Sequence, residues 1–457
     1  MIHDDITQLI GNTPLLRLPE RAHGLPGIAV HAKLELLNPL GSVKDRTAWA
    51  MLRPHLDDLR SGGRTVVESS SSNTAKALQV LAGMHGIGFR TVTNRIEVEE
   101  SRDLLRLLGA QIQELPGTSD CHDPSDPNDP VLLIERQVAV SAGALHHTSQ
   151  YTNPANVAAH HATGEEILAE LPRVDYFVSG LGTTGSTRGI TERLRAANPD
   201  LTVIGVVAHP ADFIPGIRTA DEMYEVGLYQ PQLYDAVVTV TSAEAIEATM
   251  RLIRTAGLLA GPTTGAALAG LGAYLQGLTQ GRDRGRDAEP GPGTRSPDPP
   301  VGPPATAVLL ACDRIENYLS YLRTRRPDLF DLPVPSASVR TTEVTSPEVY
   351  LAPASAATWI AEEPTVVIDT RGSLAYATGH VPGAINLTDH ALETLLDDGI
   401  PFPDRSRLLI ACAVGARSAR YASFLRAHGR HARSLDGGMA AWRDAGLPLE
   451  RSTLPQP

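Results

Sequence analysis

The chain has 457 residues, enough for two or three folded units, and an ordinary 42% of apolar residues. Its net charge of −12 argues against a nucleic-acid or anionic-membrane partner, because such binding rests on clustered Lys and Arg. No stretch reaches the ~18 to 20 apolar residues that a bilayer span requires, and the start lacks a basic region leading into an apolar one, so a cytoplasmic protein is expected.

Short β-type runs alternate with helical patterns along the chain. Residues 64–68 read as a strand, followed by a helix over about 74–83; 175–179 read as a strand, followed by a helix over about 186–196. Strands over 201–207, 236–240 and 306–311 continue the series, which is the βαβ signature of an α/β fold with parallel sheets. The stretch 281–304 is dominated by Gly, Pro, Arg and Asp and is expected to be a disordered insertion, since 306–311 and a helix over 317–323 close the same unit. This gives a first domain over 1–325 and a linker over 326–345. A second α/β unit, 346–452, follows with strands at 365–368 and 407–410.

Chemistry concentrates first around Lys44, in the run Asn38-Pro39-Leu40-Gly41-Ser42-Val43-Lys44-Asp45-Arg46, where a lysine at the start of a helix can anchor a cofactor. The turn Ser179-Gly180-Leu181-Gly182-Thr183-Thr184-Gly185-Ser186 joins a strand to a helix, so its N–H groups and hydroxyls can surround a phosphate. The segment Glu68-Ser69-Ser70-Ser71-Ser72-Asn73-Thr74 makes the same kind of junction and suits a carboxylate. Gly261-Pro262-Thr263-Thr264-Gly265 offers a hydroxyl in a Gly-bounded turn ahead of a helix.

In this order, with Ile10-Gly11-Asn12-Thr13-Pro14-Leu15, Gln150-Tyr151-Thr152-Asn153-Pro154-Ala155-Asn156 and Thr163-Gly164-Glu165-Glu166-Ile167, these segments resemble the fold-type II pyridoxal-phosphate enzymes of the cysteine synthase and cystathionine β-synthase family over about residues 5–325. The resemblance implies two α/β subdomains with central sheets, pyridoxal 5'-phosphate as cofactor, and a homodimer. By it Lys44 forms the internal aldimine and acts as general base. Gly182, Thr183, Thr184, Gly185 and Ser186 hold the phosphate, Asn73 contacts the ring hydroxyl, and Thr263 faces the pyridine nitrogen. Ser70, Ser71, Ser72, Thr74 and Gln150 bind substrate. Three departures stand out: Ser72 where the substrate loop usually has Gly, Ala75 and Lys76 after Thr74 where a small residue and an apolar one are common, and Ile315 in place of a usual Gly.

The second concentration is Cys412-Ala413-Val414-Gly415-Ala416-Arg417-Ser418, again at a strand-to-helix turn, where N–H groups and Arg417 should favour a thiolate. With Ile368-Asp369-Thr370-Arg371, Gly379-His380-Val381-Pro382-Gly383-Ala384-Ile385-Asn386 and Leu435-Asp436-Gly437-Gly438-Met439-Ala440-Ala441-Trp442, it resembles a single rhodanese domain over about 343–450. That resemblance implies a small α/β sulfurtransferase whose loop, Cys412 to Arg417, carries a persulfide on Cys412. Four residues separate Cys412 from Arg417, one fewer than in related phosphatases, and the smaller cradle suits a sulfane sulfur better than a phosphate. Asp369 is expected to support this loop.

Cys312 ends an apolar strand and is expected in the core. Cys121 and His122 adjoin in an Asp/Pro-rich loop without further ligands, so no metal is expected. The combined expectation is β-replacement on an O-activated L-serine through an aminoacrylate, with cysteine synthase activity and sulfur supplied as sulfide or by a sulfane-sulfur donor. Two alternatives stay open. The wording at 66–71, 153–156 and 182–185 also resembles N-(2-amino-2-carboxyethyl)-L-glutamate synthases, which use an amine nucleophile, and the Ser72 loop would also suit a degenerate, non-catalytic binding module.

Overall fold

The computed structural model describes residues 2–115 except 94, 95 and 97; 130–284 except 211; 305–332; 339, 342 and 344; and 346–452 except 398. Cys121, His122 and most of the expected insertion lie outside these residues.

The first domain holds two sheets. The larger has six strands in the order Leu15–Arg17, Ile28–Lys33, Ala305–Leu310, Tyr176–Gly180, Thr202–Ala208, Ala236–Val240, all parallel except the antiparallel first pair. The smaller is wholly parallel, in the order Gln111–Glu114, Gly88–Thr93, Thr65–Glu68, Leu145–His147. Central strands such as Thr202–Ala208 are near-continuous β-branched runs buried along their length, as strands covered by helices on both faces must be. Each sheet carries its own core, one built around Val178, Ile204, Val206 and Leu309, the other around Val66, Leu78, Leu81 and Phe89.

A buried ion network ties the lysine segment to the larger sheet. The Arg46 guanidinium pairs with Glu35 at 2.8 Å and with Glu166 at 2.7 Å, and Lys33 reaches Glu166 at 2.6 Å. Burial alone would raise the Glu166 carboxyl, but the bonds from Arg46 and Lys33 outweigh it and pull it down to about 2. The Thr13 hydroxyl donates to Glu35, and the N–H of Asn12 to Glu166. The motifs at 10–15 and 163–167 are therefore the two flanks of one network that orients the helix Lys44–Leu52.

The helix at the 261–265 segment runs over Pro262–Arg284, starting inside that segment and continuing through the first four residues of 281–304. A helix already nucleated adds polar residues at little cost, so composition alone does not mark its end. The segment expected as a linker contributes to both cores: Leu329 and Phe330 pack against Ile315, Tyr318, Tyr321 and Leu322, while Val339 is buried with Ile368, Leu408 and Ile410 of the second domain. Scattered apolar residues in a Pro/Ser-rich stretch can still dock on a preformed surface.

The second domain is a parallel five-stranded sheet in the order Tyr350–Leu351, His431–Leu435, Arg407–Ala411, Thr365–Asp369, Ile385–Asn386. Its central strand ends at Ala411, directly before Cys412. No helix among the described residues is long and apolar enough to cross a membrane.

Candidate active sites

A cavity of about 320 Å³ opens between the two sheets of the first domain. Lys44, Ser70, Ser71, Ser72, Thr74, Gln150, Gly182 and Thr183 all line it, which brings together four segments that are far apart in the chain. Tyr318, Phe213, Arg218 and Glu222 line it too, and sequence reasoning missed them. Arg218 sits over the Tyr151 ring, 4.8 Å from its centroid, so the wall carries a second cation beside Lys44.

Lys44 is half-buried at the cavity wall. Burial lowers its pKa, while Cys312 and Asp313 oppose the shift, so a larger fraction is neutral than for an ordinary lysine. The serine loop is fixed from behind. Gln150 donates to the Ser69 carbonyl at 2.6 Å and accepts from the Thr74 hydroxyl at 2.8 Å, and the Ser70 hydroxyl accepts from the N–H of Ala75 at 3.2 Å. Ser72 adopts φ −149°, a sign that any L residue tolerates, so a side chain there imposes no left-handed strain.

The turn at 182–186 forms a cradle at the start of the helix Gly185–Ala197. Thr184 holds φ +61°, a Cβ on Gly182 would lie 2.7 Å from the Gly216 carbonyl oxygen, and one on Gly185 would lie 2.2 Å from Asn156. Asn156 donates to the Thr183 hydroxyl at 3.0 Å and accepts from Thr47 at 2.9 Å, which couples the cradle to the Lys44 helix. The Thr184 and Thr187 hydroxyls are buried without a hydrogen-bond partner. Buried donors left over at a positive helix end are what a bound phosphate satisfies, so these residues fit the cofactor's phosphate.

Asn73, Thr184, Gly185, Ser186 and Thr263 stand outside the cavity wall. The Asn73 amide donates to Asp313 at 2.6 Å and faces the Tyr318 hydroxyl at 3.3 Å, and Tyr318 itself donates to Asp313. Asn73 thus belongs to a buried Asp313–Tyr318 cluster, and contact with a ring hydroxyl would compete with it. Thr263 donates to the Pro215 carbonyl at 2.9 Å and must turn from it to serve a ring nitrogen. Burial raises both the Asp313 carboxyl and the Cys312 thiol, the latter despite the nearby Lys44. Ile315 is buried beside Tyr318 and Tyr321, so the departure at that position fills core space.

In the second domain the Cys412 sulfur is fully buried and accepts from the N–H of Gly415 at 3.1 Å and of Ser418 at 3.5 Å. The Ser418 hydroxyl lies 3.3 Å from the sulfur and 2.8 Å from the Ser434 hydroxyl. Gly415 has φ +90°, and a Cβ there would meet the Gly437 nitrogen at 2.9 Å. The turn at 435–440 backs the loop, with Met439 donating to the Cys412 carbonyl and Ala440 to the Ala413 carbonyl. Converging donors of this kind stabilise a sulfur anion. Val414 is exposed, while Ala416 and Arg417 are half-buried at the start of the helix Ala416–Ala427. The Asp369 carboxylate accepts from Arg371, through its N–H at 3.0 Å and its guanidinium at 2.7 Å, and Arg371 also donates to the Gly379 carbonyl at 2.7 Å, so the pair braces the 379–386 side. Among the described residues no group of His, Cys, Asp or Glu is arranged to hold a metal.

Residues 6–284 match the model of the pyridoxal-phosphate dependent enzymes, and residues 352–445 that of the rhodanese-like domain. Cysteine synthase of Aquifex aeolicus is 32% identical over 58% of this chain and 81% of its own. N-(2-amino-2-carboxyethyl)-L-glutamate synthase of Cupriavidus metallidurans is 33% identical over 59% and 81%. A crystal structure of O-ureido-L-serine synthase, 28% identical, superimposes with a TM-score of 0.56 over 71% of this chain and 96% of that one.

Proposed function

Because the chain belongs to the pyridoxal-phosphate dependent enzymes and carries a rhodanese-like domain behind that unit, we propose that it is a cysteine synthase with its own sulfur carrier: the first domain replaces the β-substituent of an O-activated L-serine with sulfide, and Cys412 holds sulfane sulfur. The observation that carries this reading is that Lys44, its pKa lowered by burial, lines the same cavity as the serine loop and as Gly182 and Thr183, where the phosphate cradle begins.

Bound there, pyridoxal phosphate supplies an electron-withdrawing ring that stabilises negative charge at the α-carbon of the attached amino acid. Lys44 would hold the cofactor, and its Nζ, when neutral, would take the α-proton, a role its lowered pKa favours. Asp313 lies near enough to favour the ammonium that results. Ser70, Ser71, Ser72 and Thr74, at the start of the helix Asn73–Met84, bind the substrate carboxylate through hydroxyls and N–H groups, and Gln150 keeps the loop in place. Arg218 favours an anionic leaving group at the cavity wall. In the second domain the Gly415 and Ser418 N–H groups stabilise the sulfur anion, and Arg417 binds an anionic donor of the thiosulfate class.

The test is a product assay in which O-acetylserine and O-phosphoserine are each offered with sulfide, thiosulfate plus a thiol, or glutamate. Cysteine as the dominant product supports the reading. An amino-carboxyethyl-glutamate product would replace it with the amine-nucleophile reading, and a chain that retains no cofactor absorbance would replace it with a non-catalytic module.

A further inference from the structure

We propose that Ser434, on the strand His431–Leu435, is a positioning residue for Cys412: its hydroxyl donates to the Ser418 oxygen, which commits the one Ser418 hydroxyl proton to the Cys412 sulfur whenever that sulfur is charged. The placement stands on geometry alone; its effect on sulfur discharge rests on the reading above of Cys412 as a sulfur carrier.

The three residues come from different elements. Cys412 follows the central strand Arg407–Ala411, Ser418 lies in the first turn of the helix Ala416–Ala427, and Ser434 sits on the neighbouring strand in register with Ile410 on one side and Tyr350 on the other. All three are buried. Ser418 Oγ lies 3.3 Å from the sulfur, 3.2 Å from the Gly415 carbonyl oxygen and 2.8 Å from Ser434 Oγ, and Ser434 Oγ lies 3.4 Å from the same carbonyl. Each hydroxyl has a single proton, so these contacts cannot all be made at once.

Two arrangements are open to the pair. In one, Ser418 donates to the Gly415 carbonyl or to Ser434, and the sulfur receives nothing from it. In the other, Ser434 donates to Ser418 across the shortest of these distances, and Ser418 donates to the sulfur. A thiolate, already facing the N–H groups of Gly415 and Ser418, selects the second, because a hydrogen bond to a charged acceptor is stronger than one to a carbonyl and each bond in a chain polarises the next. Without the Ser434 hydroxyl the Ser418 oxygen loses its donor in a buried site, and its proton is divided between the sulfur and the slightly nearer Gly415 carbonyl. Charge resides on Cys412 Sγ in the resting thiolate and again when a persulfide is discharged. With cyanide as acceptor, its carbon attacks the outer sulfur, a C–S bond forms, the S–S bond breaks, and the electron pair stays on Cys412 Sγ as thiocyanate departs. In the persulfide itself the charge lies on the outer sulfur, so the two serines stabilise the leaving group of the discharge step.

The experiment uses the full chain as wild type, Ser434→Ala, Ser434→Thr, Ser418→Ala and the double variant Ser418→Ala/Ser434→Ala. The Cys412 thiolate is titrated by its ultraviolet absorbance, as the difference against the Cys412→Ser form of each protein, and persulfide formed with thiosulfate is discharged to cyanide in a single turnover. In Ser434→Ala the titration midpoint should rise by about 0.3 to 0.7 pH unit and discharge should slow about two- to fivefold. Ser434→Thr, which keeps the hydroxyl, should titrate and discharge like wild type. In the Ser418→Ala background the second substitution should change neither readout, because Ser434 acts through Ser418. An unmoved midpoint in a folded Ser434→Ala protein would overturn the proposal, and so would an equal upward shift with and without the Ser418 hydroxyl, the mark of a serine that only packs. If wild type takes no sulfur from thiosulfate, the carrier reading and the effect on discharge both fail, and the titration still decides the placement.

Discussion

The two reactive side chains are held by opposite strategies. Cys412 sits in a contiguous loop, and the groups that touch its sulfur, Gly415 and Ser418, lie within six residues of it. Lys44 lines a cavity whose other walls come from the serine loop and Thr74, from single residues between Thr93 and Val131, from Gln150 and Tyr151, from Gly182 and Thr183, and from Phe213, Pro215 to Arg218, Glu222 and Tyr318. A local cradle is written in a short run of sequence and tolerates drift elsewhere, whereas a site assembled at long range depends on the network that keeps its parts in register. The Arg46–Glu166–Lys33 network at one end of the Lys44 helix, and the Asp313–Tyr318–Asn73 cluster beside the amine, are that machinery.

The sharpest break in the comparison is Lys44→Ala. Loss of the covalent anchor and base should lower β-replacement by at least about 1,000-fold while sulfurtransfer from Cys412 to cyanide is unchanged, measured on one purified protein. Loss of both activities together would show that the two sites are not independently built.

A long-range contact should matter next. Tyr318→Phe removes a hydrogen bond to a buried carboxylate, worth about 1.5 to 3 kcal/mol, so cofactor affinity should fall by roughly tenfold or more in a fluorescence titration. In the local site, Ser418→Ala removes only the hydroxyl 3.3 Å from the sulfur, and sulfurtransfer should drop by about two- to tenfold.

The smallest effect concerns Lys76, half-buried with Asp45 and Asp313 as its opposite charges. Burial raises the Asp45 carboxyl to about 7, against the Leu40 N–H, Lys76 and Ser42, which lower it. An acid whose folded pKa is raised binds its proton more tightly when folded, so its contribution to stability declines as pH rises from near 4 to near 7 and is flat above. Lys76→Met removes a cation that restrains this shift, so the decline should extend to higher pH. Melting temperatures of variant and wild type should diverge between pH 6 and pH 8.5, with the variant losing about 1 kcal/mol relative to wild type. Parallel curves over that range would mean that Lys76 does not act on Asp45.

Much of this arrangement was legible in the sequence, for physical reasons that differ by site. The alternation of β-branched runs with helical patterns marked the strands at 175–179, 236–240 and 407–410 to within a residue or two, because the inner strands, buried on both faces, carry few polar residues and the edge strand Ala236–Val240 is still rich in valine. The Cys412 loop was legible because its geometry is local. Lys44, the serine loop and the 182–183 turn were legible because each is a strand-to-helix or turn-to-helix junction with its own composition. Arg218, Phe213, Glu222 and Tyr318 were not, since a cavity wall made of single residues from loops has no periodicity to betray it. Tyr318 follows Asp313 by five residues, and a buried acid just past the apolar strand Ala305–Leu310 was the available signal. The Asp369–Arg371 pair was not legible, because Arg371, two residues on, folds back onto the carboxylate. That contact depends on a side-chain path that spacing does not reveal.

The most direct measurement of the central claim is the fate of the outer sulfur of thiosulfate. Full-length protein given outer-³⁵S-thiosulfate, an O-activated serine and dithiothreitol should yield ³⁵S-cysteine. Cys412→Ser should form almost none while still making unlabelled cysteine from free sulfide, because a hydroxyl cannot carry a sulfane sulfur and free sulfide needs no carrier. Labelled cysteine at the wild-type rate from Cys412→Ser would contradict the account and leave two domains that share a chain without sharing a sulfur atom.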